Sequence, residues 1–295
     1  MVNKQDNLAK TSVEEYPQGL VLWIILNEVV FDAEIQLLNK GRIIFAERAG
    51  AKVDESNIEE SLKPFNIELR KWTNMNKNEI LDALVDVKKE ADNNPTKFAG
   101  LVFLGMSHGV QSRGKDYLVT SDCKMLDLEW VTEQFHNFQC EGFKDRPKCF
   151  LYNMCRGQET NVEIHKELQT AIEMDIAEEI GRDSPSSSVF ITPGLPKNGQ
   201  QRDRICFKKG DYVVVHSTVP GFSSNRHRRF GSPFIQELSA SIKEHTAQGN
   251  TDCQEMILVA MLATAKHQYS GSNAPQLPEM TTTLKAKFIL HVRSK

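Results

Sequence analysis

The chain has 295 residues, 40% of them hydrophobic, and a formal net charge of −3 from 36 basic and 39 acidic residues. This apolar content can supply a sizeable core, so the composition excludes a disordered or fibrous protein. The near balance of charges gives no general electrostatic reason to bind nucleic acid or an anionic membrane.

The cysteines and the first residues of the chain indicate the compartment. The six cysteines are scattered without a C-x-x-C pair, which argues against a zinc ribbon and against a dense disulfide framework. Residues 1–18 are polar and charged, with no apolar segment of the kind found in signal peptides, and no later window has the apolar length of a spanning helix. We therefore expect a soluble, cytoplasmic protein with reduced thiols that needs no metal and no cofactor.

The first predicted elements alternate between strands and helices. The continuous apolar run over 19–26 is typical of a strand buried on both faces of a sheet. Residues 54–65 have helical spacing, and residues 67–72 alternate as a half-covered strand does. Asn76 and Glu79 form a capping box, which predicts that a helix begins there.

Two further apolar runs predict the strands that carry the reactive residues. The run over 98–105 leads to His108, and the run over 148–154 leads directly to Cys155. A helix is predicted between them, over 126–138. This order of strands and helices implies a largely parallel, doubly wound sheet. The carboxyl ends of its strands share one edge, so we expect His108 and Cys155 at that edge.

The second half of the chain begins with a long irregular segment. Residues 157–203 are rich in glycine, proline and serine, and loops of this length are uncommon in compact domains unless they are functional, mobile or cut. The elements predicted after it are a strand over 211–217, helices over 232–248 and 251–268, the second opened by a Thr251-x-x-Gln254 box, and a last alternating strand over 283–292.

A cysteine and a histidine at one sheet edge suit a thiol hydrolase. The Cys155 thiolate would attack the substrate, and His108 would take its proton and later protonate the leaving amine. The backbone N–H groups of Gly109 and Cys155 are the candidate oxyanion donors, because a glycine permits close approach. Taken alone, the position of Cys155 fits a cysteine that only fills the core as well as it fits a nucleophile.

Several ordered segments resemble the caspase family, and the resemblance covers nearly the whole chain from Tyr16 to Val292. The turn at His108 is similar to the family's catalytic histidine loop, and residues 153–157 are similar to its Gln-Ala-Cys-Arg-Gly pentapeptide. Residues 48–54 resemble its Arg-x-Gly-x-x-x-Asp segment, and residues 217–226 and 231–236 resemble the segments that build its substrate groove. The resemblance implies an α/β fold with a mainly parallel six-stranded sheet and helices on both faces.

The resemblance also implies a protease that cuts proteins after aspartate, made as a single-chain zymogen and acting in apoptosis. Arg48 and Arg226 would bind the substrate carboxylate through charge-assisted hydrogen bonds, and Asn153 and Ser224 would complete the substrate site. The chain departs from the family pattern at four positions, with Asn153 for glutamine, Met154 for alanine, and Asn225 and Pro233 for tryptophan.

Two alternatives stay open, and the departures motivate the first of them. The first is a catalytically weak or inactive homologue that binds a paralogous caspase and regulates it. The second is an unrelated Cys–His hydrolase on a doubly wound sheet, whose turnover would survive the loss of Arg48 and Arg226.

The division of the chain follows from the same resemblance. The expected regions are a short arm over 1–18, a large subunit over 19–174, a linker over 175–203 and a small subunit over 204–295. Asp183 is the preferred cleavage site and Asp175 the second candidate. The short arm implies activation by an upstream protease.

We expect protein substrates with aspartate at the cut, and a homodimer or a heterodimer with a paralogous caspase paired along the last strand. Neither nucleic acid nor a membrane is an expected partner.

Overall fold

The structure is a computed structural model, and it describes residues 14–32, 45–157, 208–266 and 276–293. The two candidate cleavage sites, Asp175 and Asp183, lie outside the described residues, as does the whole predicted linker over 175–203.

A six-stranded sheet forms the centre of the fold. In spatial order its strands are β2 (Ile67–Thr73), β1 (Leu20–Asn27), β3 (Phe98–Met106), β7 (Lys148–Asn153), β8 (Tyr212–His216) and β9 (Glu279–Thr282). The first five strands are parallel, and β9 is antiparallel to β8. The predicted, mainly parallel sheet is therefore confirmed. The predicted large and small regions share it, because β7 pairs directly with β8.

Helices cover both faces of this sheet, as predicted. Alternate residues of β1 enter two separate cores, with Trp23 and Ile25 on one face and Leu22 and Ile24 on the other. This explains why the β1 sequence is a continuous apolar run. None of the helices in the described ranges is long and apolar enough to cross a membrane. The helices are α1 (Ala51–Leu62), α4 (Pro233–Ala247) and α5 (Cys253–Lys266) on the first face, and α2 (Lys77–Asn93), α3 (Leu128–Glu133) and a 3₁₀ turn (Glu141–Phe143) on the second.

A small antiparallel sheet follows β3. Its strands are β4 (Gly109–Ser112), β5 (Lys115–Val119) and β6 (Met125–Asp127). Leu118 and Leu126 of this sheet belong to the core on the second face of the large sheet, whereas its other apolar side chains form a third core with Phe31 and Phe45. Because β4 begins immediately after His108, this core supports the region around the histidine.

The predicted capping box at the start of α2 is present. The Asn76 side chain accepts from the N–H of Glu79 at 3.0 Å, and the Glu79 carboxylate accepts from the N–H of Asn76 at 2.8 Å. At the start of α5 the prediction was wrong by one residue. Asp252, rather than Thr251, supplies the side-chain cap, and its carboxylate accepts from the N–H of Gln254 at 3.1 Å.

The predicted helix over 126–138 was too long. Met125–Asp127 forms β6, and the helix covers only Leu128–Glu133. The Asp127 carboxylate accepts from the N–H groups of Glu129 and Trp130 at 2.8 and 3.2 Å, which starts the helix after the strand.

The prediction of a last strand over 283–292 is also wrong. The strand at this edge of the sheet is β9, which ends at Thr282. Residues 283–292 instead form isolated bridges to three separate segments, at Glu15, Asp252 and Phe65. The alternating pattern came from buried side chains such as Phe288, whose ring would lie 2.8 Å from a Cβ placed on Gly100. Alternate burial without a single pairing partner does not make a strand.

Candidate active site

His108 and Cys155 follow neighbouring parallel strands at the same edge of the sheet. Met106 of β3 pairs with Asn153 of β7, and each reactive residue comes two positions after the residue of this pair. The predicted placement of the histidine and the cysteine at one edge is therefore observed.

The two loops touch at Gly109. A Cβ on this residue would lie 2.3 Å from the carbonyl oxygen of Cys155 and 2.9 Å from the Cβ of Met154. Real Cβ atoms are not found at such distances, so only glycine fits here. The absence of a side chain at Gly109 thus lets the histidine loop approach the cysteine loop.

His108 is oriented by a backbone carbonyl and by two aromatic rings. Its Nε2 lies 2.8 Å from the carbonyl oxygen of Ala46. A carbonyl only accepts, so Nε2 carries the proton and Nδ1 is free to act as a base. The ring centroid lies 4.9 Å from that of Phe31 and 5.5 Å from that of Phe45.

The surroundings keep this imidazole neutral. Burial, together with the positive charges of Arg48 and Arg226, lowers the pKa of His108 to about 4 against the opposing effect of the hydrogen bond to Ala46. At neutral pH the ring is therefore unprotonated and able to accept the proton of a thiol.

The Cys155 thiol lies against residues 217–226, the groove segment, which is one of the two predicted to build the substrate groove. Its Sγ is 3.4 Å from the amide nitrogen of Ser224, which donates to it, and 3.9 Å from the carbonyl oxygen of the same residue. Such an amide donor stabilises negative charge on sulfur. Among the described residues, no hydrogen bond joins the thiol to His108. Catalytic hydrogen bonds are often long when no substrate is bound.

Arg48 is held on one side of its guanidinium group, and within the described ranges two N–H groups on the other side are unpaired. Its side chain is buried, and Nη1 donates to Asn27 Oδ1, to the carbonyl of Glu28 and to that of Met106, at 3.1, 2.6 and 3.0 Å. Nε and Nη2 are also buried, and neither has a partner among the described residues. These two N–H groups lie on one side of the guanidinium and form the fork that binds a carboxylate in bidentate fashion.

Arg226 adds a second positive charge near the thiol. Its Nε donates to the carbonyl of Ala49 at 3.1 Å, and its charge interacts with Asp54 and Cys155. Burial and the charge of Arg226 lower the pKa of Arg48 to about 9, so Arg48 stays protonated at neutral pH. Two neighbouring cations beside a nucleophile favour a substrate that brings a negative charge.

The segments that resemble the caspase family pack against each other. The Asp54 carboxylate accepts from the N–H and the hydroxyl of Ser232, both at 2.7 Å. Gly231 has a φ of +83°, and its Cβ would lie 2.1 Å from Asp54 Oδ1. Similarly, a Cβ on Gly50 would lie 2.6 Å from the carbonyl oxygen of His227. The segments 48–54 and 226–232 therefore build one site, and its glycines permit their close contact.

Asn153 and Ser224 face each other behind this site. The Asn153 amide donates to Ser232 Oγ at 3.0 Å and accepts from Ser224 Oγ at 3.2 Å. The Ser224 hydroxyl also accepts from that of Ser217 at 2.8 Å. The Asn153 side chain is therefore part of an internal network, and it is the backbone of Ser224 that contacts the thiol.

Sequence reasoning missed several residues that position this site. Gln276, only 4% exposed, accepts from the N–H of Asn225 at 2.8 Å and donates to the carbonyl of Ser217 at 2.9 Å. It thereby holds both ends of the groove segment. Ala46 acts through its carbonyl and Phe31 through its ring, so neither leaves a motif in the sequence.

Arg156 anchors the backbone directly after the nucleophile. It donates to Asp116 Oδ2 from Nη2 at 2.7 Å and to the carbonyl of Thr218 at 3.2 Å, and it also pairs with Glu279. In the backbone, the N–H of Arg156 donates to the carbonyl of Phe222 at 2.9 Å. The cysteine loop is thus tied to β5, to the groove segment and to β9.

Comparisons with known proteins agree with this architecture. The profile of the caspase domain family matches residues 37–289. Caspase-3 of Oryctolagus cuniculus and caspase-3 of Bos taurus are each 26% identical over 234 residues, which is 78% of this chain and 68% of theirs. The crystal structure of caspase-1 from Spodoptera frugiperda superposes with a TM-score of 0.67 at 17% identity, covering 95% of this chain and 93% of that one. The chain therefore belongs to the caspase domain family and carries a caspase-like cysteine protease domain.

Proposed function

We propose that this protein is a cysteine endopeptidase that cleaves proteins after aspartate. The observation that carries the proposal is the free Nε and Nη2 fork of buried Arg48, close enough to Cys155 for their charges to interact. Leaving two buried N–H groups of a cation unpaired is costly, and a substrate carboxylate would satisfy both.

The chemistry then follows from the two residues at the sheet edge. Nδ1 of His108 takes the thiol proton, and the Cys155 thiolate attacks the main-chain carbonyl carbon of the bound aspartate. The N–H groups of Gly109 and Cys155 stabilise the oxyanion. His108 returns the proton to the leaving amine, which leaves an acyl-enzyme. A water molecule, deprotonated by His108, hydrolyses this thioester and regenerates the thiol.

The groove segment would hold the substrate backbone. Its residue Ser224 reaches the thiol through the backbone, and Gln276 ties the segment to the body of the domain. A peptide laid along this segment adds an extended strand, in which main-chain hydrogen bonds supply affinity and pockets supply selectivity.

The remaining parts of the proposal rest on family membership. They are synthesis as a single-chain zymogen, cleavage at Asp183 by an upstream protease, a role in apoptosis, and pairing with a second copy or with a paralogous caspase. Cytoplasmic location is proposed on the same basis.

Peptide turnover tests the proposal directly. Linker-cleaved protein should hydrolyse fluorogenic peptides that end in aspartate, and Cys155→Ala should abolish this. Arg48→Gln and Arg226→Gln should each lower kcat/KM by at least about 100-fold, because each removes a charged partner of the carboxylate. Arg228→Gln, which makes the same change at an exposed position of the same loop, should have little effect.

Two results would contradict the proposal. Turnover that survives both arginine substitutions would show that the carboxylate is not what the site recognises. Undetectable hydrolysis of every aspartate-terminated peptide, together with retained binding to a paralogous caspase, would instead support the regulatory homologue.

A further inference from the structure

We infer that Asn27 is a positioning residue for substrate recognition, because its amide fixes the guanidinium group of Arg48 and leaves the charge of that group available to the substrate carboxylate. The inference rests on the proposed function, in which Arg48 binds the aspartate before the cut. It assigns a role in that step to a buried residue at the end of β1.

The Asn27 side chain links Arg48 to the start of α1. It is fully buried, and its Oδ1 accepts from Nη1 of Arg48 at 3.1 Å. Its Nδ2 donates to the carbonyl oxygen of Ala51 at 3.2 Å and to Oε2 of Glu55 at 3.0 Å. Both ends of the amide are thus engaged, and the two acceptors beside Nδ2 determine that Oδ1 faces the arginine.

This contact sets the direction of the N–H groups that meet the substrate. The guanidinium group is planar, so the placement of Nη1 determines where Nε and Nη2 lie. Nη1 has two other acceptors, the carbonyl oxygens of Glu28 and Met106, at 2.6 and 3.0 Å. Both belong to the backbone. Within the described part of the chain, Asn27 therefore supplies the one side-chain acceptor that holds the guanidinium group in place.

All three acceptors of Nη1 are uncharged. The nearest carboxylate along the hydrogen bonds is that of Glu55, and the neutral amide of Asn27 stands between it and Arg48. A carboxylate bonded directly to the guanidinium group would offset much of the charge that attracts a substrate anion. The amide therefore holds Arg48 without competing for its charge.

Two other carboxyl groups near Arg48 are engaged elsewhere. Asp54 accepts from the N–H and the hydroxyl of Ser232, both at 2.7 Å. The carboxyl group of Glu28 accepts from the N–H of Met75 at 3.1 Å, and burial raises its pKa to about 8, so it is mostly protonated at neutral pH. Among the described residues, neither carboxyl group forms an ion pair with Arg48.

Asn27→Asp tests the role of the uncharged amide. The change keeps the size of the side chain and the acceptor for Nη1, but it adds a carboxylate that pairs with Arg48 in place of the substrate. KM for a peptide that ends in aspartate should rise at least about tenfold, with a much smaller change in kcat. Asn93→Asp, the same change at the exposed end of α2, should leave both constants unchanged.

A matched inhibitor separates lost charge from general damage. The peptide with asparagine in place of the final aspartate has nearly the same shape and no charge. As a competitive inhibitor it should bind the native and Asn27→Asp proteins equally well, because it does not depend on the charge of Arg48. A distorted pocket would weaken both peptides.

Glu55 provides a second test that leaves Asn27 intact. Glu55→Ala removes one of the two acceptors that orient the amide, so KM should rise about threefold or more. Glu55→Gln keeps an oxygen acceptor for Nδ2 and should restore the native KM. Glu59→Ala is the control, because Glu55 and Glu59 both pair with Lys71 and Glu59 is the one that does not contact Asn27.

Urea unfolding confirms that each variant is folded, and the Glu55 variants decide the question if Asn27→Asp does not fold. An unchanged KM in the Asn27→Asp protein, equal weakening of the aspartate and asparagine peptides, or a Glu55→Gln protein that behaves like Glu55→Ala would overturn this inference and leave the proposed function standing. Failure of the native protein to cut after aspartate would overturn both.

Discussion

His108 donates a hydrogen bond from Nε2 to the carbonyl oxygen of Ala46 at 2.8 Å, which leaves Nδ1 as the basic nitrogen of the ring. The two residues are far apart in the chain, and the contact involves no side chain of Ala46. This one backbone acceptor determines the tautomer with which the histidine meets the thiol.

The activity should therefore extend to unusually low pH. Burial places the pKa of His108 at about 4, so the imidazole remains a base down to this value, whereas an ordinary histidine protonates near 6.5. Phe45→Ala admits water to the ring and should raise this pKa, which moves the acidic limb of kcat/KM to higher pH.

The pH dependence of kcat/KM between pH 4 and 8 checks this prediction, with folding confirmed at each pH. Phe138→Ala removes an exposed phenylalanine and serves as the control. An acidic limb near pH 6.5 in the native protein would contradict the argument.

Glu28 should make the fold less stable as the pH rises. Its side chain is fully buried, and burial raises the pKa to about 8, against 4.5 for an ordinary glutamate. Because the folded state binds this proton more tightly than the unfolded state, the associated stability is present below pH 4.5 and is lost as the pH rises toward 8.

Glu28→Gln removes this titration, so the free energy of unfolding should fall less between pH 5 and 8 than in the native protein, by roughly 3 kcal/mol. Urea unfolding at the two pH values measures the difference. The exposed Glu47→Gln serves as the control. Equal pH dependence in the native and Glu28→Gln proteins would refute the prediction.

Gly109→Ala should abolish most activity through a steric clash. Its Cβ would lie 2.3 Å from the carbonyl oxygen of Cys155, so one of the two loops must move. Displacement of a reactive group by about 1 Å can cost 100-fold in rate, and we expect a loss of kcat/KM of at least about that size. The control is Gly114→Ala, in the turn of the same hairpin, where φ is +76° and a Cβ meets no atom within 4 Å, so this variant introduces backbone strain without a clash. Comparable activity losses in the two variants would rule out the steric explanation.

Gln276→Ala should weaken substrate binding more than catalysis. The amide holds Ser217 and Asn225 at the two ends of the groove segment, and among the described residues it makes no hydrogen bond to the thiol or to His108. Losing its buried hydrogen bonds should raise KM about five- to thirtyfold with a smaller change in kcat. Steady-state kinetics separates the two constants, and Leu277→Ala, at an exposed neighbour, is the control. A fall in kcat with unchanged KM would show that Gln276 has another role.

Much of the fold was predictable because it depends on local patterns. The apolar run that forms β1, the capping box at Asn76 and the alternation of strands with helices all arise from neighbouring residues. The shared sheet edge of His108 and Cys155 followed from the topology. The wrong predictions for 126–138 and 283–292 concern segments whose burial pattern has more than one structural solution, and in 283–292 alternate burial occurs without a single strand partner. The cap of α5 was wrong because the neighbouring Asp252 is also a good capping residue.

The sequence alone thus determined the class of fold, the family and the identity of the candidate nucleophile, base and arginines. Only the tertiary structure decided how these residues are supported. The acceptor at Ala46, the amide of Gln276 and the two hydrogen bonds of the Asn153 amide come from segments distant in the chain. Such contacts depend on three-dimensional packing, and a backbone carbonyl or a single amide leaves no periodic signal along the sequence.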